Sequence, residues 1–369
     1  MLKSLLFKEQ SYLGIDIGMG SIKIVELKNE KGKPKLVTYG LVEQSVDIVH
    51  DNSEEAKKHI ANLILKTCEK AQVSTQKVIT GLPTFSVFNS IINLPQISSK
   101  DLPSAIKWEA KKFIPLPLEE VILDWKILKE ESSKEEKNLN INKDKSQSVS
   151  VEKIKKTKKG LRILLTVAPR SLIKKFVDIF KQINFELLSL ETASFALTRS
   201  LLGYDLNPIM IVDIGAAITS VIVVEKNIPI LNRSIDIGGI SVTKTIANSL
   251  NINFKRAEQF KRDIGVSNVS SQEGTSNIVQ NILNNIINEI RYTIELYEHQ
   301  GSKKIEKIIL TGGSAYLPNL PDFFSKVLEK KVYIGDPWFQ TIYPLELKPA
   351  LEEIAPRLSV AIGLAMREI

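Results

Sequence analysis

A single cysteine, Cys68, and three scattered histidines, His50, His59 and His299, are all that 369 residues offer toward disulfide or metal-cage chemistry. One thiol cannot close an intramolecular bridge, and histidines so far apart lack ligand spacing, which points to a reducing compartment and no metal cage. Long apolar runs are also missing. The longest, Ile209 to Val224, is interrupted by Asp213 and by Gly, Thr and Ser, far from a membrane span. Met1 to Gln10 holds Lys3 but too short an apolar stretch for a signal peptide, so the expected location is the cytoplasm. No Gly-x-x-x-x-Gly-Lys-Ser/Thr run exists, which removes the P-loop class. Gly18-Met19-Gly20 lacks the third glycine of a Rossmann fingerprint, and a hairpin pattern follows where a helix is required. There is no Gly-x-Ser-x-Gly elbow, and no Cys/His couple suggests a nucleophile.

What is present is globular: 43% apolar, 25% charged, and long enough for two or three domains. The net charge of +8 is unevenly spread, since 129–159 holds ten lysines against six acids and so carries half of it. With no aromatic residue and few bulky apolar ones, that segment cannot offset its ordering entropy and is expected to be an unstructured insertion. A solvated loop and a contact with anionic lipid or an acidic partner both remain open for it. The absence of aromatics among its lysines weighs against nucleic acid.

Along the chain, Tyr12 to Ile17 reads as a strand ending in a glycine turn, Ile22, Ile24 and Leu27 alternate on a second strand, and Lys35 to Val42 forms a third. Ser53 caps a helix running to about Ala71, with Glu54 and Glu55 in its first turn, and Val78 to Leu82 is the next strand. The order recurs from Ile209: strand, Gly215 turn, strand Thr219 to Glu225, a strand through Leu231, helices from about Ser241. Architecture is duplicated where sequence is not. Between the halves, strand Ser86 to Leu94, helix Ser99 to Phe113, strand Val121 to Leu128, strand Arg162 to Val167, helix Ser171 to Ile183 and strand Glu186 to Leu190 make a small α+β subdomain. A last helix is expected over Ala355 to Arg367.

Two acidic glycine turns carry the chemistry. In Asp16-Ile17-Gly18-Met19-Gly20-Ser21-Ile22-Lys23 a carboxylate ends a buried strand, and the glycines let backbone N–H groups approach an anion. Strand alternation puts Ser21 and Lys23 on one face, toward phosphates. Asp16 would repel phosphate, so its natural partner is Mg²⁺, through water. A plain hairpin with Asp16 supporting the turn is the competing reading. Asp213-Ile214-Gly215-Ala216-Ala217-Ile218-Thr219 repeats the motif 197 residues later, with Thr219 as its first hydroxyl. Gly238-Gly239 precedes a helix containing Thr243, whose exposed N–H groups would complete a phosphate or metal environment. Gly312 and Gly313 join a strand to a helix and offer a surface for a nucleobase, while Glu258 and Lys261 share a helix face within reach of a ribose, or form a surface ion pair.

These residues resemble the actin, Hsp70 and sugar-kinase superfamily, an α/β duplicated actin-like (RNase H-like) ATPase fold. Within it they are similar to the PilM family of type IV pilus assembly proteins, relatives of the division protein FtsA. Leu94-Pro95, Ala105 to Ala110, Phe113-Ile114-Pro115, Glu120 and Asp124 resemble that family's inserted 1C subdomain, as Arg233 before Gly238-Gly239 and Ala361 to Ala365 resemble its later text. The resemblance implies subdomain 1A over 1–82, 191–207 and 354–369, 1C over 83–190 with its loop at about 130–159, and subdomains 2A and 2B over 208–353, with 2B at about 241–304. It implies ATP and Mg²⁺ as cofactors: Asp16, Gly18, Gly20, Ser21 and Lys23 at the first phosphate turn, and Asp213, Gly215 and Thr219 at the second. Gly238, Gly239, Glu258 and Lys261 fall on the ribose side, with Gly312 and Gly313 at the adenosine turn. Mg²⁺ is expected at Asp16 and Asp213, through water, with Asp213 the candidate for orienting a water and turnover slow or absent.

The implied role is a cytoplasmic scaffold binding the N-terminal segment of the inner-membrane protein PilN, with Ile106, Trp108 and Phe113 as packing residues unless they are subdomain core. Other inner-membrane assembly proteins, self-association into FtsA-like filaments and, less readily, a small-molecule kinase are the remaining expectations; nucleic acid is not expected. FtsA-like proteins end in an amphipathic helix, whereas this sequence stops at Ile369 within a packing helix, so membrane attachment is expected through a partner. The second turn also departs from the family, placing Ala216 and Ala217 where a polar side chain is usual.

Overall fold

The computed structural model describes residues 10–44, 51–114, 116–128, 160–266, 273–299 and 303–369, and side chains from 279 onward in the helix that begins at Glu273. The basic segment expected to be unstructured, 130–159, lies outside the described residues.

The first half begins with β1 (Ser11–Ile17), β2 (Ser21–Glu30), β3 (Lys33–Glu43), α1 (Glu54–Lys70) and β4 (Lys77–Leu82). Ser53 caps α1 as expected, its hydroxyl accepting from the Ala56 amide at 3.1 Å. A separate compact unit, Asn89–Val167, follows. It holds most of β5 (Phe88–Leu94), then α2 (Leu102–Ala110), β6 (Val121–Leu128) and most of β7 (Leu161–Pro169), in a sheet ordered β5-β7-β6. Helix α2 is shorter than Ser99 to Phe113 because Ser98 ties back Asp101, hydroxyl to carboxylate at 2.8 Å, and Pro103 stands in the first helical turn. Its Leu102, Ile106 and Ala110 close a core with Ile92, Leu94, Ile163 and Leu165.

The chain then returns through α3 (Arg170–Gln182), β8 (Glu186–Thr192) and α4 (Ala193–Leu201). The second half follows with β9 (Ile209–Ile214), β10 (Thr219–Glu225), β11 (Ile228–Ile235), α5 (Gly239–Leu250), α6 (Phe254–Ile264), α7 (Glu273–Glu298), β12 (Lys307–Thr311), α8 (Leu320–Leu328), β13 (Lys331–Ile334) and α9 (Lys348–Ala365).

The two large sheets have the same plan. One is ordered β3-β2-β1-β4-β8 and the other β11-β10-β9-β12-β13, each with three antiparallel strands followed by two parallel ones. Period-two alternation assigns each strand two different neighbours. Leu13, Ile15 and Ile17 pack under α1 and α3, whereas Met210, Val212 and Ile214 pack under α5, α7 and α8. The opposite faces meet α4 and α9, which lie between the sheets: Tyr12 and Ile79 from one sheet and Ile209, Ile211 and Ile222 from the other share a core with Ala196, Leu197, Val360 and Leu364.

Helix α9 runs at backbone distance from both of its neighbours. A methyl placed on Gly14 of β1 would lie 2.0 Å from the Ala361 carbonyl oxygen, and one on Gly363 would lie 1.9 Å from that of Ala196 in α4. The helix also starts earlier than sequence alone suggests. It was expected from Ala355, but its first turn is at Lys348 with Pro349 in it, and Pro356 is an interior residue. We expect Gly14→Ala to lower unfolding free energy by about 3 kcal/mol or more. Gly81→Ala, where the new methyl would meet only side-chain carbons at 3.5 Å or beyond, should be tolerated. Urea melts of the two variants check this, and equal midpoints would contradict it.

Candidate functional site

Alternation also decides which side chains reach the space between the sheets. Asp16 shares the β1 face of Tyr12 and Gly14, and Asp213 shares the β9 face of Ile209 and Ile211, so the two carboxylates look into one cleft, walled also by the start of α4 at Ala193 and by Pro356, Arg357 and Val360 of α9. Its volume is about 640 Å³, in the range of small-ligand sites.

The two turns match at the atomic level. The Gly18 amide donates to the Ser21 carbonyl and the Gly215 amide to the Ile218 carbonyl, each at 3.0 Å. Asp16 pairs across the hairpin with Lys23, and Asp213 with Ser220. The amides of Met19, Gly20, Ala216 and Ala217 have no hydrogen-bond acceptor among the described residues. The tips also touch, because a methyl on Gly20 would lie 2.5 Å from the Ala216 Cβ. Any side chain at position 20 would therefore collide with Ala216, so the contact of the tips requires glycine there.

Most of the expected residues line the cleft: Asp16, Gly18, Gly20, Ser21, Lys23, Asp213, Gly215, Gly239, Glu258, Lys261, Gly312 and Gly313. Thr219 does not. It pairs with Ile214 on the far face, wholly buried, and its hydroxyl donates to the Ile237 carbonyl at 2.6 Å. Ser220 stands in its place, and the seven-residue interval from Asp16 to Lys23, applied from Asp213, would have found it. Gly238 is likewise outside the lining, pressed against the Gly215 and Ala216 backbone, where a methyl would lie 2.7 Å from both carbonyl oxygens. The start of α5 does not offer free amides: Gly239 donates to Gly215 at 3.0 Å and Ile240 to Ala216 at 2.8 Å. Those two bonds fix the second turn onto α5.

Glu258 and Lys261 make more than a surface pair. Lys261 is buried and donates to Glu258 at 2.7 Å, to the Thr243 hydroxyl at 2.9 Å and to the Gly239 carbonyl at 3.1 Å. Burial pushes Glu258 up, but hydrogen bonds from Lys261 and Thr243 outweigh it and leave its carboxyl below the ordinary range. Burial lowers Lys261 against the opposing pull of Glu258. The chain Lys261–Gly239–Gly215 thus links α6 to the second acidic turn.

The Gly312–Gly313 segment is not followed at once by a helix. Gly312 has φ +86, and α8 begins only at Leu320. A methyl on Gly312 would lie 2.4 Å from Asp213 Oδ1, so this backbone forms the wall beside the carboxylate. Here Pro356 acquires a role. Having no N–H, it leaves the Glu352 carbonyl without its helical donor, and the Tyr316 hydroxyl donates there instead. Its own carbonyl accepts from the Gly312 amide and from Thr311 Oγ1, both at 3.1 Å. Arg357, next in the helix, lines the cleft and pairs with Glu43 at 2.7 Å. No local motif announces Tyr316, Pro356 or Arg357; their place depends on α9 crossing between the sheets.

Lys23 Nζ contacts Asp16 at 2.8 Å, while Asp213 has no basic partner at ion-pair distance among the described residues. Desolvation, and then the nearby Asp16 charge, push Asp213 up to about 6, with Lys23 only partly opposing. The described residues contain no cluster of three or more His, Cys, Asp or Glu side chains able to hold a metal alone. Two facing carboxylates can still bind a divalent ion through water when a ligand supplies the remaining oxygens.

A family model described as type IV pilus assembly protein PilM matches residues 14–369. A solved PilM–PilN type IV pilus biogenesis complex superposes with TM-score 0.78 at 22% identity, covering 96% of this chain and 98% of the other. The ethanolamine utilization protein EutJ of Carboxydothermus hydrogenoformans matches at TM-score 0.54 and 18% identity, over 97% of this chain and 89% of that one. MreB5 of Spiroplasma citri bound to AMPPNP matches at TM-score 0.51 and 13% identity, over 96% and 94%. The fold is the duplicated α/β fold of the actin-like ATPases.

Since the folded chain takes up a proton at Asp213 between the ordinary carboxylate value and about 6, the cost of this buried charge is absent below that window and grows as pH rises through it. Asp213→Asn should therefore stabilise the ligand-free protein at pH 7 by on the order of 2 kcal/mol and flatten stability between pH 4 and 6. Parallel denaturation curves for wild type and variant across that range would contradict it.

Proposed function

As the chain belongs to the PilM family of type IV pilus assembly proteins, we propose that it is a Mg·ATP-binding scaffold of the pilus assembly machine, held at the cytoplasmic face of the inner membrane by PilN. The observation that carries the nucleotide reading is the meeting of the two acidic turns, with Asp16 paired to Lys23 and Asp213 left without a cation. The cleft is lined by four basic and five acidic side chains, so a polyphosphate fits only when a metal ion accompanies it. The free amides of Met19, Gly20, Ala216 and Ala217 suit phosphate oxygens, and Asp16 and Asp213 would take the ion through water. Bound Mg·ATP supplies phosphate charge and metal ligands between the halves; the protein's own part is to release Lys23 toward phosphate and to deprotonate Asp213. Glu258 and Lys261 suit a ribose, and the wall at Gly312, Gly313 and Tyr316 a base. Among the described residues lining the cleft, Asp213 is the candidate for orienting a water, and turnover is expected far below the enzyme median of about 10 per second.

PilN binding rests on family membership. In the smaller unit, β5 is an edge strand among the described residues, a geometry that suits addition of an extended peptide. Ile106 belongs to the unit's core and is withdrawn from any contact role, whereas Trp108 and Phe113 face outward.

Calorimetric titration with ATP should show binding that requires Mg²⁺ and weakens about tenfold or more in Lys23→Ala. Metal-independent binding of equal strength would remove the proposed site. Deleting the cytoplasmic N-terminal segment of PilN should abolish co-purification, and unchanged co-purification would remove that partner.

A further inference from the structure

Helix α2 buries one side and leaves the other uncovered among the described residues. Opposite Ile106 and Ala110, the exposed side carries Lys107, Trp108 and Lys111, continued by Lys112, Phe113 and Leu116. Trp108 is 67% exposed, Phe113 49% and Leu116 42%, so three large apolar side chains stand open to solvent within one short stretch that also carries Lys107, Lys111 and Lys112. The Lys112 ammonium lies 4.7 Å from the Trp108 ring centre and also pairs with Glu109. Lys107 and Lys111 have no carboxylate partner among the described residues.

We propose that this face rests on an anionic phospholipid surface, with Trp108 and Phe113 at headgroup depth and Lys107 and Lys111 directed to lipid phosphates. Tryptophan's amphipathic ring favours that depth. The lysine stems let charge reach the headgroups while their methylenes lie along the aromatic face. An acidic peptide would satisfy the lysines but leaves the exposed tryptophan and phenylalanine beside them without a partner of matching chemistry. Contact is peripheral: α2 is nine residues long, and no described helix is long and apolar enough to cross a membrane. So small a patch binds weakly alone and needs a second signal for stable attachment; it would orient a protein that a partner holds near the bilayer. The inference goes beyond the scaffold reading and does not depend on nucleotide.

The test is vesicle binding by the full chain, with phosphatidylglycerol mixed into phosphatidylcholine. Because 129–159 carries ten lysines of its own, Trp108 emission is the deciding readout and sedimentation the supporting one. Vesicles rich in phosphatidylglycerol should blue-shift the emission, salt should reverse the shift, and Trp108→Phe should remove it. Lys107→Ala with Lys111→Ala should weaken binding about 25-fold, at about fivefold per lysine. The matched pair Lys58→Ala with Lys66→Ala, on the exposed side of α1, should change it little. The proposal falls if no shift occurs, if neutral vesicles shift the emission equally, or if both lysine pairs weaken binding alike. It also falls if the shift appears only on adding a PilN peptide without lipid, which would make the face a protein-docking surface.

Discussion

Backbone contact between α9 and both of its neighbours is the constraint on which the site depends. Gly14 lets the helix lie directly on β1, and Gly363 lets it meet α4. With no side-chain layer between them, α9 has little freedom to shift relative to β1 and α4. The interior Pro356 then becomes an advantage. In water, a proline at mid-helix costs about 3 kcal/mol, but here its carbonyl receives Gly312 and Thr311 and the carbonyl it frees receives Tyr316. The carbonyl that the proline frees thus attaches Tyr316, in the turns that follow the Gly312 wall beside Asp213.

Duplication gives the cleft its two turns, and divergence gives them different chemistry. Both close with the same three-residue hydrogen bond. At the matching cross-strand position one carries Lys23 and the other Ser220. One carboxylate is therefore balanced and the other is not, and Asp213 rises to about 6 in a largely desolvated place beside Asp16. A symmetrical pair of lysines would neutralise both and leave less need for a metal. The second turn is also the more firmly held, through Gly239 and Ile240 to α5 and through Lys261 to α6. Ligand-induced movement is thus expected at Lys23 rather than at Asp213.

Much of this was legible in sequence because strand alternation is a local rule. It placed Ser21 and Lys23 on the cleft side of β2, and the recurrence of strand, acidic turn and strand foretold two sheets of one plan. The same rule places Thr219 on the far face; counting hydroxyls from the glycine led to Thr219, while counting from the aspartate leads to Ser220. Other features depend on tertiary contacts and left no local trace. The start of the last helix at Lys348, seven residues before Ala355, and its passage through Pro356 depend on the layer packed on each side of it. The amides at the start of α5 look free until the second turn is folded against them. Turns take the place of the helix expected directly after Gly313, α8 beginning only at Leu320, and the left-handed Gly312 against Asp213 is a tertiary feature.

The central claim is that Asp16, Lys23 and Asp213 together form the Mg·ATP position. A crystal structure of the chain with Mg²⁺ and a non-hydrolysable ATP analogue tests it most directly. The account predicts phosphates between the two turns, a hydrated ion between Asp16 and Asp213, and Lys23 moved from Asp16 onto phosphate. A nucleotide bound elsewhere, or bound there with the Asp16–Lys23 pair intact and no ion between the carboxylates, would contradict it.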